Sequence, residues 1–408
     1  MKLDLIQTVA FAGVVLFLGY GIRRLVPPLA RYNIPAPVIG GLIVAGILTW
    51  ARSTGTTLME FDTTLQTPLM VAFFTSIGFA ASVRLLKVGG PQVLIFFLVA
   101  TLFAVAQNVL GAGMAVAFGL HPLFGVLTGS VTLTGGPATG LAFAPLFEAN
   151  GVPGAATVAV ASAMVGIVMG GVIGAPIATR LIERNKLRTR HAPQHVDTPL
   201  ATEVMEEQLA DEPIKAPAGE DEESFVLLQT VVLILLAMWL GGYVSEWFNS
   251  LGIKLPAYIG AMLVAAVIRN VDDVTGMFRV QQRVIDDVGN VALALFIVMA
   301  LMTLKLWEIA GLALPMLIIL AAQVALIAAV CIWPIFPLMG KDYESAVMSG
   351  GFCGFMLGTT ANAMANMRSL VERYGPAPRA FLVVPMVGAF FIDFINAVMI
   401  TAFVNFLK

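Results

Sequence analysis

Charged residues are scarce in this chain and lie in clusters, which leaves apolar blocks of about twenty residues between them. An α-helix needs about 20 apolar residues to cross the hydrocarbon core of a bilayer. Of the 408 residues only 12% are charged, whereas soluble domains carry roughly 25%. These features predict an all-α polytopic membrane protein in a lipid bilayer. We place ten spans at about 7–26, 36–50, 68–83, 91–118, 154–180, 225–245, 255–268, 288–304, 311–338 and 380–404, and two further membrane-depth segments at about 122–148 and 343–374.

One long polar run divides the chain. Residues 183–224 start basic, end acidic and contain prolines throughout, a composition typical of a flexible linker. The predicted organisation is therefore an N-terminal repeat at 1–182, a cytoplasmic hydrophilic linker at 183–224 and a C-terminal repeat at 225–408.

The two halves resemble each other weakly. PVIGGLIVAGIL (37–48) matches AYIGAMLVAAVI (257–268), FFTSIGFAASVRLL (73–86) matches LFIVMALMTLKLW (295–307) in shape, and TGSVTLTGGPATG (128–140) lies opposite SGGFCGFMLGTTA (349–361), all at an offset of about 220. Each half has five predicted spans, and an odd number makes the second half enter the membrane from the opposite side. The predicted fold class is two inverted repeats of five spans, each with a re-entrant hairpin. Secondary transporters are commonly built in this way.

Lysine and arginine predict the orientation, because cytoplasmic loops carry an excess of them. With the linker in the cytoplasm, these residues are more than three times as frequent inside as outside. We therefore predict a multi-pass inner-membrane protein with both termini on the periplasmic side.

The segment Gly350–Met367, GGFCGFMLGTTANAMANM, combines glycines, hydroxyls and amides between two very apolar blocks. Glycine weakens a helix, and Thr and Asn side chains compete for backbone hydrogen bonds. Irregular backbone at membrane depth is tolerated only where protein buries it or where it lines a wet cavity. We therefore predict a re-entrant hairpin with a polar site, and a counterpart at 122–148. The alternative for either hairpin alone is ordinary small-residue helix packing.

Two opposed hairpin tips would present helix N-termini and backbone N–H groups, a geometry that favours a carboxylate. The residues predicted to line this substrate site are small or polar and lie at the two tips: Thr134, Gly135, Gly136, Thr139, Thr359, Thr360 and Asn362.

The last span contains a carboxylate, Asp393, with Asn396 about one helical turn away. A charge inside a span is costly and indicates a functional residue. Carboxylate, amide and carbonyl oxygens suit a hard cation such as sodium. We predict a sodium site formed by Asp393, Asn396 and Asn366; a proton-carrying Asp and a purely structural Asp are the alternatives.

The catalytic and nucleotide-binding motifs of enzymes are absent from the sequence, so we do not expect an enzyme. There is no basic stripe that would indicate nucleic acid as a partner.

The block from Gly350 onward, with VERYGPAPRAFLVVPMVGAFFIDFINAVMI at 371–400, closely resembles the C-terminal signature of the bacterial sodium:glutamate symporter family. LTGG at 133–136 is similar to the family's other hairpin. The resemblance implies sodium-coupled glutamate uptake by a homodimer, with a scaffold domain and a mobile, elevator-like transport domain that holds both hairpins.

The sequence departs from the family pattern in two places, one in each predicted hairpin. Pro137 and Ala138 follow the glycine pair where the family has a His and a Gly, and Asn362 stands where a proline is expected. They leave open another amino acid or small carboxylate as the substrate. A proton-coupled carrier on the same fold, with Asp393 as the proton carrier, and a channel-like or sensory protein are the competing hypotheses.

Overall fold

A computed structural model describes residues 2–54, 58–88, 90–187, 221–253, 255–306 and 311–407. Within these ranges the chain is helical, apart from an isolated β-bridge between Lys2 and Glu60. The helices in chain order are α1 (Leu5–Leu25), α2 (Pro27–Arg31), α3 (Ala36–Ser53), α4 (Gln66–Ala80), α5 (Val83–Val88), α6 (Gly90–Ala117), α7 (Pro122–Val126), α8 (Gly136–Glu148), α9 (Ala155–Arg184), α10 (Glu222–Ser250), α11 (Ala257–Thr275), α12 (Gln282–Met302), α13 (Ala313–Val330), α14 (Phe336–Leu338), α15 (Tyr343–Met356), α16 (Thr360–Tyr374), α17 (Pro378–Phe390) and α18 (Ile392–Phe406). Two π-helical turns, Leu127–Val131 and Cys331–Ile335, follow α7 and α13.

Nine helical segments in the described ranges are long and apolar enough to cross a membrane, and they coincide with nine of the ten predicted spans. The remaining predicted span, 255–268, lies within α11. Its last two turns carry Arg269, Asp272 and Asp273, so the helix as a whole is less apolar than the other nine. The prediction of an all-α polytopic membrane protein is confirmed. The inverted repeats and the re-entrant course of the hairpins stay predictions.

The helices form two compact units. The first contains α1, α3, α4, α10, α11 and α12, and the second contains α2, α6 to α9 and α13 to α18. Each unit therefore takes helices from both sides of the polar run. The division into repeats at 1–182 and 225–408 describes the order of the sequence and stays a prediction, and most of the predicted linker, residues 188–220, lies outside the described residues.

In the first unit, α4 packs against α10, α11 and α12, while α12 also packs against α1 and α3. Apolar side chains including Phe79, Ile234 and Ile285 fill the space between these helices. Gly78 lets α4 approach α11 closely, since a Cβ at this position would lie 2.2 Å from the carbonyl oxygen of Met262.

In the second unit, two helical segments are interrupted. Thr132–Gly135, which we call the first tip, joins the π-helical turn Leu127–Val131 to α8. Helices α15 and α16 pack against each other and are joined by Leu357–Thr359, the second tip. Gly350–Met367 is therefore two helices with a break, as its composition predicts. Long helix α9 packs against α8, α15 and α16, so both helix pairs share it as a support.

Candidate functional site

The two tips meet inside the second unit. Gly136, at the end of the first tip, has a positive φ of 68°. A Cβ at this glycine would lie 3.7 Å from the carbonyl oxygen of Gly358 in the second tip. The hydroxyl of Thr134 lies 3.5 Å from Sδ of Met356, the last residue before the second tip. These residues come from segments that the sequence predicts to be counterparts.

The chain bends at Gly129, just before the first tip. Gly129 has a non-helical backbone (φ −99°, ψ −131°), and two asparagines hold the chain there. Oδ1 of Asn108 on α6 accepts the N–H of Ser130 at 3.0 Å, and Nδ2 of Asn396 on α18 donates to the carbonyl oxygen of Ser130 at 3.0 Å. The N–H of Ser130 is thus held by α6. Its carbonyl oxygen, which also accepts the N–H groups of Thr134 and Gly135, is held in addition by α18.

Several buried polar atoms at this bend have no hydrogen-bond partner among the described residues. They are Oγ of Ser130, Oδ1 of Asn396 and Nδ2 of Asn108. All three side chains are at most 1% exposed. A buried polar atom without a partner is costly, so such a group of atoms is suited to a bound ion or water.

A glutamine on α6 contacts both tips. Oε1 of Gln107 accepts the hydroxyl of Thr134 at 2.8 Å, and its Nε2 donates to the carbonyl oxygen of Met356 at 3.2 Å. Its own carbonyl oxygen accepts Nε2 of Gln323 on α13 at 2.7 Å. Gln107 and Gln323 are both fully buried.

The asparagines of α16 bind to α9. Nδ2 of Asn362 donates to the carbonyl oxygen of Ile167 at 2.8 Å, and Nδ2 of Asn366 donates to that of Gly170 at 2.9 Å. Glycines on the neighbouring helices make room for these amides, at 170 and 174 of α9 and at 354 and 358 in α15 and the second tip. We call this contact the asparagine seam. The four-residue spacing of these glycines continues to 166 and 350, where a Cβ would meet other atoms of the packed helices.

The other predicted substrate residues occupy defined positions at the tips. Thr139 packs over Gly135, where a Cβ would lie 2.6 Å from Cβ of Thr139. Thr359 caps α16, because its hydroxyl accepts the N–H of Asn362 at 3.4 Å. Thr360 packs against α17, with its Oγ1 3.0 Å from the position of a Cβ on Gly388.

Asp393 lies in the first turn of α18, immediately after the break between α17 and α18 at Phe391 (φ −121°). It is partly buried, and no hydrogen bond or ion pair in the described part of the chain reaches its carboxylate. Asn396 lies one turn further along the same helix. The contacts of Asn366 go to α9 and α15 instead, and none in the described ranges joins it to Asp393 or Asn396.

The base of the second hairpin is held by an ion pair. Asp342 caps α15 by accepting the N–H of Ser345 at 2.9 Å, and its Oδ1 also accepts Nη2 of Arg379 at 2.6 Å. Burial raises the pKa of Asp342, but the hydrogen bonds from Ser345 and the charge of Arg379 outweigh it, so the pKa lies below its ordinary value of 3.8.

The tips therefore bring together residues that the sequence singled out. Three buried amide residues near them did not stand out in the sequence. Gln107, Asn108 and Gln323 lie within otherwise apolar helices of 28 and 18 residues. The argument that identified Asp393, a polar group inside a span, applies to them as well.

Comparisons with known proteins decide the family. A family model described as sodium/glutamate symporter matches residues 1–376. A sodium/glutamate symporter of Haemophilus influenzae is 41% identical over 396 residues, which cover 97% of this chain and 95% of that protein. A sodium/glutamate symporter of Escherichia coli is 42% identical over 400 residues, with 98% and 96% covered. The chain belongs to the sodium/glutamate symporter family. The resemblance seen in the sequence is thus confirmed, and as a member of a symporter family the protein is a multi-pass membrane transporter and not an enzyme.

Proposed function

We propose that the protein carries glutamate across the inner membrane into the cell together with sodium, and that both ligands bind in the second unit. Sodium/glutamate symport is the activity named for its family and for both relatives. The placement of the site is supported by the contact between the two tips, where Thr134 lies next to Met356 and Gly136 lies next to Gly358.

Glutamate is proposed to bind at the N-termini of α8 and α16, which start at the two tips. First-turn N–H groups have no partner within their own helix, and the helix dipole favours an anion there. The hydroxyls of Thr139, Thr359 and Thr360, with Thr134 and Asn362, would add donors and acceptors. The backbone of Gly135 and Gly136 lets the ligand approach closely.

Sodium is proposed to bind beside the bend at Gly129. The oxygens of Ser130 and Asn396 that have no described partner are suitable ligands for a hard cation. Asp393, one turn from Asn396, would supply the negative charge. Asn366, which the sequence suggested for the same site, has its amide nitrogen in the asparagine seam, so we assign it to the support of the second tip.

For the movement, we propose an elevator in which the second unit carries the ligands and the first unit is the scaffold of a homodimer. The basis is that both tips, Asp393 and the seam all lie in one compact unit. Inverted repeats with re-entrant hairpins are the proposed origin of the two matching tips.

The test is uptake of labelled glutamate into proteoliposomes. An inward sodium gradient should drive accumulation, and an equal choline gradient should not. Excess unlabelled amino acids and dicarboxylates then define the substrate class, which matters because Pro137, Ala138 and Asn362 depart from the family pattern. Equal uptake in sodium and choline would contradict the proposal.

A further inference from the structure

Gln107 bonds through its side chain to the first tip and to the residue just before the second tip. Its side-chain amide has one acceptor and one donor group, and each is used on a different hairpin. The acceptor Oε1 holds the hydroxyl of Thr134 in the first tip at 2.8 Å, and the donor Nε2 holds the carbonyl oxygen of Met356 before the second at 3.2 Å.

The amide satisfies a group that the helix itself cannot. Met356 is the last residue of α15, and the final carbonyl oxygens of a helix have no intrahelical donor. Because Gln107 and Met356 are fully buried, water does not replace this bond. Loss of the amide would leave a buried carbonyl without a partner, which costs about 1–3 kcal/mol.

The contact continues from Thr134 to the bend at Gly129. The N–H of Thr134 donates to the carbonyl oxygen of Ser130 at 3.2 Å, and Nδ2 of Asn396 donates to the same oxygen. Adjacent Asn108 accepts the N–H of Ser130. An unbroken series of hydrogen bonds therefore runs from the bend, through Thr134 and Gln107, to the second tip.

We infer that Gln107 is a positioning residue that transmits sodium occupancy at the bend to the glutamate site at the second tip. A cation on Oγ of Ser130 would fix the position of Ser130 and, through its carbonyl oxygen, that of Thr134, and Gln107 would then fix Met356 and the start of the second tip. Coupling of this kind is reciprocal, so glutamate would raise the affinity for sodium by the same factor. The inference rests on the sodium position proposed above.

The decisive quantity is the ratio of glutamate dissociation constants at low and at saturating sodium, measured by calorimetry on the purified full-length protein with choline keeping the ionic strength constant. Coupling free energies typically give a 5–150-fold ratio. We expect Gln107→Leu to reduce this ratio by about tenfold. A purely structural role would weaken both ligands and leave the ratio unchanged, and that result would overturn the inference.

Gln323→Leu is the matched control. Gln323 is an equally buried glutamine that bonds to the main chain of Gln107 and to neither tip in the described structure. We expect this variant to keep the wild-type ratio, and a loss as large as that of Gln107→Leu would contradict the inference.

Gln107→Glu decides the matter if Gln107→Leu does not fold. A neutral carboxyl keeps one donor and one acceptor, whereas the ionised form has no donor for Met356. The ratio should therefore recover toward the wild-type value as the pH is lowered, relative to wild type at the same pH. A ratio independent of pH would count against Gln107.

Asn396→Ala separates this inference from the proposed sodium position. If sodium still raises the melting temperature of Asn396→Ala as it does that of wild type, the sodium position is wrong. In that case the stated route from the bend falls with the sodium position, and a reduced ratio in Gln107→Leu would show only that Gln107 couples glutamate to a sodium site elsewhere.

Discussion

Asparagine has two distinct uses in the second unit, and the difference lies in the surroundings of the amide. Asn362, Asn366 and Asn396 all donate through Nδ2, and Oδ1 of both Asn362 and Asn396 has no partner among the described residues. Asn362 and Asn366 donate through nitrogen to carbonyl oxygens of α9. Asn396 donates to Ser130, and its oxygen has no partner among the described residues. An unengaged oxygen next to a bent backbone is the arrangement expected of a cation ligand, whereas an amide packed between glycines supports a helix contact.

Asp393→Asn tests the charge at this site. Removal of the carboxylate should raise the sodium concentration needed for half-maximal uptake by tenfold or more, because the neutral ligands alone bind a cation weakly. A tenfold change corresponds to a loss of about 1.4 kcal/mol in the free energy of sodium binding. Glutamate uptake is measured in proteoliposomes against external sodium and again against pH. Asp4→Asn is the control, since Asp4 directly precedes α1 in the first unit and its carboxylate accepts just the N–H of Gln7 within the described ranges.

The pH profile separates the two coupling hypotheses. A sodium ligand predicts lost sodium dependence with any pH dependence retained. If Asp393→Asn instead abolishes the pH dependence and leaves the sodium dependence intact, the proton-coupled carrier is the better account.

At this scale the sequence singled out Asp393 and the asparagines of α16 and α18 but missed the two neighbouring amides of α6. Asp393 is conspicuous because a carboxylate in a span is costly. Gln107 and Asn108 are neutral, and amides in spans also serve ordinary helix packing. Their partners, Thr134 and Ser130, are 27 and 22 residues away, so only the fold shows that the two amides meet the first hairpin.

At the scale of elements, the asparagine seam depends on how closely α9 approaches α15 and α16. A Cβ at Gly174 would lie 2.1 Å from Nδ2 of Asn366 and 2.9 Å from the carbonyl oxygen of Gly350. Three residues earlier, a Cβ at Gly171 would have Tyr32 as its nearest described neighbour, at 3.8 Å. The two glycines are in the same helix and face different surroundings.

Gly174→Ala should therefore destabilise the second unit by about 1–3 kcal/mol, the usual cost of overpacking, and lower glutamate uptake. Gly171→Ala should be neutral or slightly stabilising, since alanine favours a helix over glycine. Thermal unfolding of the two purified variants in detergent checks this. Equal melting temperatures would show that the seam is looser than the structure indicates.

The ion pair at the base of the second hairpin gives a pH-dependent stability. The pKa of Asp342 is lowered in the folded protein, so its contribution is present above the unfolded value of about 3.9 and is lost as the pH falls through the depressed value. Asp342→Asn keeps a capping oxygen but loses the charge that faces Arg379. We expect a lower melting temperature than wild type at pH 7 and a shrinking difference below about pH 4.

The matched control is again Asp4→Asn, which also replaces a capping aspartate at a helix start, without an arginine partner in the described structure. It should behave like wild type at every pH. A constant difference between Asp342→Asn and wild type down to pH 3 would remove the ion pair as its cause.

The positions of the helices follow from apolar length, and for that reason the spans could be predicted. The bends at Gly129, Trp333 and Phe391 could not be predicted from apolar length. A bend in a membrane requires partners for the freed backbone groups. At Ser130, side chains of α6 and α18 contribute to these partners beside the local backbone, so the bend depends on the packing as well as on the local sequence.

At the scale of the whole molecule, the chain places helices from both sides of its polar run into each of two units, and the proposed site lies within the second. Such an arrangement suits a carrier in which one unit moves as a body, because the contacts that hold the ligand need not break during the movement.

The orientation predicts which loops can be labelled from outside. If the linker is cytoplasmic, the loop between α3 and α4 is periplasmic, since three spans, which contain α4, α6 and α9, lie between this loop and the linker. The native Cys331 and Cys353 are both buried, so background labelling should be low. A membrane-impermeant maleimide on intact spheroplasts should label Thr63→Cys, whose native side chain is exposed, and should label Thr198→Cys in the linker only after permeabilisation. The opposite pattern would reverse the orientation, because the excess of lysine and arginine on the linker side is its only support.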